Sequence, residues 1–243
     1  MKVPLFIEVI GENATGKTHF IVAECPDPFL IDLSPKGEGK AIILKYYPDE
    51  IEKRYIHIRT VLGAYNSLQS IRNAVKGAVE AGRKTIGFDP TPYLRVAAEE
   101  EVKMEHGKVN GASGIKEPLK MVYPITLFGD VYTKVDSIIG SIIDSGVNVV
   151  FTAQLKDEYI RDVRTGVRIR DGHRRADFIA DYRILLILEE ENDEMVRKAK
   201  VVKNRFVDRV NENEWTDYLA DISFNGIVNT IPEKYIPKEY FVL

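Results

Sequence analysis

The run Gly11-Glu12-Asn13-Ala14-Thr15-Gly16-Lys17-Thr18 constrains this chain most, because eight residues specify both a backbone shape and a chemistry. It is a complete G-x-x-x-x-G-K-[ST]. Gly11 and Gly16 allow a tight turn that aims several backbone N–H groups into one concavity. Lys17 is placed to reach the β- and γ-phosphates of a nucleotide, and the Thr18 hydroxyl to ligate Mg²⁺. The predicted nucleotide-binding segment therefore runs from Gly11 through Glu12, Asn13, Ala14, Thr15, Gly16, Lys17 and Thr18 to His19, with ATP and Mg²⁺ as the expected ligands. For His19, helix packing is the competing reading. An ordinary glycine-rich turn is the alternative for the whole motif. Its setting argues against that: an apolar run precedes it and a helical run follows, as a strand–loop–helix phosphate site requires.

A magnesium site of this kind needs a carboxylate at the tip of a neighbouring strand. Thr85-Ile86-Gly87-Phe88-Asp89 supplies one in Asp89, where the apolar run ends. A turn-forming aspartate before Pro90 is the plainer alternative. The single cysteine, Cys25, precludes an internal disulfide framework, and a reducing, cytoplasmic setting is expected. No apolar run approaches the roughly 18 residues of a membrane helix, so no membrane association is expected. One cysteine and four scattered histidines offer no zinc spacing.

Strands are predicted over residues 5–10, 29–33, 55–58, 85–89 and 147–153. Helices are predicted over 17–23, 67–80 and 126–144. Short β-rich runs alternating with helices imply an α/β fold with a mostly parallel central sheet covered on both faces. After Gln154 the pattern becomes consecutive strands, over 181–188, 197–203 and 218–224, which predicts antiparallel extension of the sheet. Residues 99–118 and 156–175 read as long loops. A single domain over 1–243 is expected, with a core over 1–206 and C-terminal strands and tail over 207–243. The last residues, 231–243, look like a tail that docks on another surface.

Three further segments carry a resemblance. Val149-Val150-Phe151-Thr152-Ala153-Gln154 is a buried strand ending in an amide. Gly172 to Ile184 reads as a short helix followed by a strand. Lys200-Val201-Val202-Lys203-Asn204-Arg205 is a basic strand. Together with the phosphate motif, and in this order, they resemble the RecA-like P-loop ATPases over residues 5–206. Lacking the flanking extensions of full recombinases, the chain looks most like the short RecA-like ATPases of phages and archaeal viruses, some of which anneal single strands. The resemblance implies that Gln154 senses the γ-phosphate and relays nucleotide state to the loop that follows. It implies that Lys203 and Arg205 act on nucleotide held by a neighbouring subunit, hence a homo-oligomer. A solvated strand face is the alternative for those two residues.

One position departs from the family. RecA-like proteins carry a water-activating glutamate in I-D-x-E, whereas the matching run here is Ile31-Asp32-Leu33-Ser34. Serine cannot serve as a general base unaided. Glu38 is the expected replacement and Glu12 a poorer one, so tight binding with slow hydrolysis is predicted.

The net charge of −3 does not advertise nucleic acid, so any such site must be local. Residues 156–175 hold seven Lys/Arg against four Asp/Glu. Lys156, Arg161, Arg164, Arg168, Arg170, Arg174 and Arg175 are candidates to bind the phosphates of single-stranded DNA, with Tyr159 available for stacking. A solvated hairpin whose arginines pair with local acids is the alternative. Two other classes stay open at this stage: a P-loop kinase of a small metabolite, and a non-catalytic nucleotide-sensing adaptor.

Overall fold

A computed structural model describes residues 2–60, 67–109, 127–160, 163–207 and 216–243, with the side chains of 106–109 outside that description. The sheet order is β3-β2-β4-β5-β1-β7-β8, and β6 pairs with β5. Its strands are β1 (Phe6–Gly11), β2 (Pro28–Asp32), β3 (Tyr55–His57), β4 (Thr85–Asp89), β5 (Asn148–Ile160), β6 (Val163–Asp171), β7 (Tyr182–Glu191) and β8 (Glu194–Asn204). Pairings from β3 across to β7 are parallel, and β6 and β8 join antiparallel. This is the expected α/β architecture, a mostly parallel sheet with antiparallel strands added.

The central strands are largely apolar because both their faces are covered. Successive side chains point to opposite faces. Phe6, Phe88, Val149 and Phe151 pack with α4 (Ser67–Glu80), α5 (Pro92–Val109) and α6 (Phe128–Asp144). Ile7, Val9, Leu30 and Val150 face the other way, onto Phe20–Val22, Ile43 and Ile227. That second layer holds α1 (Lys17–His19), which widens into a π-helical turn over Phe20–Glu24, together with α2 (Gly39–Tyr46), α3 (Ile51–Arg54) and α8 (Phe224–Asn229).

Several expectations need correction. The second "loop", 156–175, is mostly a β-hairpin. β5 runs on past the sheet to Ile160 and β6 returns, with a bulge around Gly166, followed by the short helix α7 (Ala176–Ile179). The tip residues 161–162 lie outside the described residues, and with them the candidate Arg161. The first "loop" begins as α5, whose Leu94, Ala97, Ala98 and Val102 form a buried stripe; residues 110–118 lie outside the described residues.

The strand expected at 218–224 reduces to an isolated bridge, Lys200↔Tyr218. Ser223 ends it by capping α8, its hydroxyl accepting from the Gly226 N–H at 3.0 Å. The tail docks on this chain's own sheet. Phe241 is fully buried, Val3 N–H donates to the Tyr240 carbonyl at 2.6 Å, and the Asn148 amide donates to the Val242 carbonyl at 2.8 Å.

Candidate functional site

The phosphate motif forms the turn between β1 and α1. Gly11 ends β1 where a Cβ would meet the Thr15 hydroxyl at 2.4 Å and the Leu186 carbonyl at 2.9 Å. Gly16 has φ +94°, a conformation that glycine adopts without strain. The Thr15 hydroxyl donates to the Glu12 carbonyl at 2.9 Å and closes the turn. The Lys17 ammonium is buried at the mouth, donating to the carbonyls of Gly11 at 3.0 Å and Glu12 at 2.5 Å. Burial lowers its pKa, against the opposing pull of Asp89 and Glu12. Lysine therefore spends its hydrogen bonds on the loop itself, and a polyphosphate would have to displace them.

Asp89, at the tip of β4, accepts hydrogen bonds from the hydroxyls of Thr18 and Thr152. Burial raises its pKa; the two hydroxyls work the other way, and nearby Asp32 adds to the rise. The next strand is organised around Asp32. One of its oxygens accepts from the Ser34 N–H at 2.9 Å, the other from the Gly39 N–H at 2.7 Å and the Tyr55 hydroxyl at 3.1 Å. His57 Nε2 lies 2.8 Å from the Ser34 carbonyl. These bonds fold the segment between Ser34 and Gly39 back over the strand ends. Ser34, where the resemblance leads one to expect a glutamate, is buried, and its hydroxyl accepts from the Glu38 N–H at 3.1 Å.

One cavity of about 460 Å³ unites the predicted groups. Asn13, Ala14, Lys17 and Thr18 line it together with Asp89, Ser34, Glu38 and Gln154. Gln154 pairs with Gly11 on one side and Asp171 on the other, so it sits where β5 passes from the parallel sheet into the hairpin.

The other candidates are placed elsewhere. His19 turns away to the Tyr46 hydroxyl at 3.2 Å and to Glu24 at 3.4 Å, as its packing alternative anticipated. Lys203 pairs with Arg183 at the level of Glu8, three residues or about 10 Å along the strand from Gly11. The Lys203 ammonium donates to the Asp177 carbonyl at 2.9 Å, and the Arg205 guanidinium to the Phe178 carbonyl at 2.7 Å. Neither lines this chain's own cavity.

On the hairpin, Lys156 pairs with Asp171 at 2.9 Å and Arg164 with Asp157 at 2.9 Å. Arg168 reaches Glu12 of the phosphate loop at 3.1 Å. Arg175 pairs with Asp136 and lies 5.3 Å over the Tyr132 ring, while Arg174 is exposed. Arg170 departs from expectation. It is held by fully buried Glu8 and by Asp177, which also bind Arg183, so its charge belongs to the interior of the fold.

Sequence reasoning missed Thr152, Asp32, Tyr55 and Glu8 as organisers. The signals for two of them are visible afterwards: a hydroxyl inside Val-Val-Phe-Thr-Ala, and a lone carboxylate inside Phe-Ile-Glu-Val-Ile.

No protein-family model and no curated protein matches the chain. Among solved structures, a KaiC-like protein from the hyperthermophilic archaeon Pyrococcus horikoshii is similar. It is 17% identical, the match covers 83% of this chain and 79% of that one, and the TM-score is 0.45.

The pocket fits a Mg²⁺–triphosphate on its own residues: a turn closed to side chains at Gly11, a buried ammonium at its mouth, and a hydroxyl–carboxylate pair of Thr18 and Asp89. The carboxylate must be ionised to help hold a cation, and its raised pKa keeps the proton bound to higher pH. Magnesium-dependent nucleotide binding is therefore expected to weaken on acidification above the ordinary aspartate value of about 3.9. A pH titration of affinity checks this, with Asp89→Asn removing the dependence.

Proposed function

We propose that this chain binds ATP with Mg²⁺, hydrolyses it slowly, and acts on single-stranded DNA in annealing, recombination or repair, as a homo-oligomer of the kind found in phages or archaeal viruses. The observation that carries the reading is the single cavity joining Lys17, Thr18 and Asp89 to Glu38 and Gln154. Lys17 and the loop N–H groups bind and orient the phosphates. Bound Mg²⁺, held through Thr18 and Asp89, supplies charge neutralisation on the terminal phosphates. Glu38, presented by a segment tied to Asp32, takes the water-activating role that Ser34 cannot fill. Its tether is one backbone bond to a serine hydroxyl, looser than a strand-borne acid, which supports slow turnover. Lys203 and Arg205 would act on a neighbouring subunit's nucleotide.

The β5–β6 hairpin is the proposed nucleic-acid element. Lys156, Arg164, Arg168, Arg174 and Arg175 provide cations, and Tyr159 is 61% exposed and available for stacking. Two contacts support coupling to nucleotide. Gln154 stands at the base of the hairpin beside the cavity, and Arg168 is paired with Glu12.

The test is a gel-shift with single- and double-stranded DNA, with and without ATP–Mg²⁺, repeated across a salt series. Preference for single strands is expected. The logarithm of affinity should drop by about three for each tenfold rise in salt, as several phosphate contacts on a single strand require. A flat salt response would rule out the hairpin as a phosphate-binding surface. ATP binding with no turnover, and no change in Glu38→Ala, would favour a nucleotide-sensing adaptor, the reading that Ser34 most encourages.

A further inference from the structure

The β7–β8 hairpin overhangs the phosphate loop. Gly11 pairs with Leu186, and β7 continues past that level to Glu191 before β8 returns. Arg197 stands opposite Leu188, beyond the end of β1. Its guanidinium lies directly on the turn. A Cβ built on Gly16 would be 2.5 Å from Cζ, 2.6 Å from Nη2 and 2.8 Å from Nε. Any side chain at position 16 would expel it, so the glycine serves this contact as well as its own backbone angle.

The charge on Arg197 is uncommitted. It is exposed and has no carboxylate within ion-pair distance among the described residues. On the opposite face of the hairpin the Lys198 ammonium pairs with Glu189 at 2.6 Å and with Glu191 at 2.5 Å, while Glu190, on the same face as Arg197 and two residues beyond Leu188, makes no ion pair with it. The result is an unpaired, planar, five-donor cation resting on the shoulder of a turn whose N–H groups converge on one concavity. Guanidinium is the side-chain group best matched to phosphate oxygens, binding two at once.

We infer that Arg197 is a nucleotide ligand in its own chain, gripping the inner phosphates that a nucleoside diphosphate and triphosphate share. This rests on the nucleotide reading above. Arg197 reaches the turn at Gly16 and does not line the cavity that Asp89, Glu38 and Gln154 share, so it is set apart from the groups assigned to the terminal phosphate. It therefore strengthens substrate and product alike and holds the diphosphate after hydrolysis.

Calorimetric affinities of ATP, ADP and adenosine for wild type, Arg197→Ala and Arg197→Lys test it. The alanine variant is expected to lose about tenfold for ATP and for ADP alike, the worth of one charge-assisted contact, with adenosine unchanged and lysine recovering part of the loss. With no ion pair to lose, both variants should unfold at the wild-type temperature without nucleotide. Affinities within twofold of wild type in Arg197→Ala would overturn the inference. So would a loss confined to ATP, which would put the arginine at the terminal phosphate, or an equal loss for adenosine. If wild type itself bound neither ATP nor ADP, the nucleotide reading would fail first and this one with it.

Discussion

Lys17→Ala is expected to weaken ATP–Mg²⁺ binding by at least a hundredfold. Among the described residues the ammonium is the one buried cation at the mouth of the phosphate turn, and burial already depresses its pKa. On binding it would exchange two carbonyl partners, Gly11 and Glu12, for charged phosphate oxygens. Hydrogen bonds to charged groups contribute about 1.5–3 kcal/mol each. Two such bonds correspond to roughly two to four orders of magnitude in affinity. The free protein should tolerate the change, since the two carbonyls can turn to water at the mouth. Calorimetry with ATP and magnesium, beside a thermal melt, separates lost affinity from lost fold. A variant that bound ATP within threefold of wild type would refute the assignment of this turn.

The second large effect concerns stability. Glu8→Ala is expected to cost about 3–5 kcal/mol in urea unfolding, as removing one partner of a buried ion pair does. Glu8 is fully buried in the middle of β1, bonded to Arg170 and, at 2.6 Å, to Arg183. Asp177 closes the group, 3.0 Å from Arg170 and 2.7 Å from Arg183. Alanine would leave two arginines sharing one carboxylate. Replacing Glu8, Arg170 and Arg183 together by leucine or methionine should restore much of the loss, because the one charge left without its partners, Asp177, is half-exposed and can be solvated. A Glu8→Ala protein as stable as wild type would mean that water reaches these guanidinium groups.

What could be read from the sequence follows physical lines. The parallel strands were legible because a strand covered on both faces is mostly apolar along its length, as 85–89 and 147–153 are. The helix over Ser67–Glu80 was legible, because Leu68, Ile71 and Val75 recur at helical spacing. The cavity was legible where chemistry fixes spacing, in Gly11–Thr18 and at Asp89.

Legibility ended where local pattern carries little information. α2 and α3 are short, and most of their residues face solvent. The hairpin at 156–171 is charged on both sides, so its strands lack the apolar alternation that marks a half-buried strand. Arg170 and Arg168 look equivalent in the chain, two residues apart. Only the fold brings one beneath the sheet to Glu8 and the other out to Glu12. Glu38, the proposed substitute for the glutamate expected two residues after Asp32, comes to the cavity from six residues after it, because the segment curls back on Asp32 through the N–H groups of Ser34 and Gly39.

On the proposed reading, the bridge from Arg168 to Glu12 makes the hairpin and the phosphate turn compete for one guanidinium. Whatever polyanion draws that arginine outward leaves an uncompensated carboxylate beside the phosphate turn. Linkage then imposes a symmetry: the factor by which a strand on the hairpin alters affinity for nucleotide equals the factor by which nucleotide alters affinity for the strand. Measuring either one fixes the other, and cutting the bridge with Glu12→Gln should bring both closer to unity.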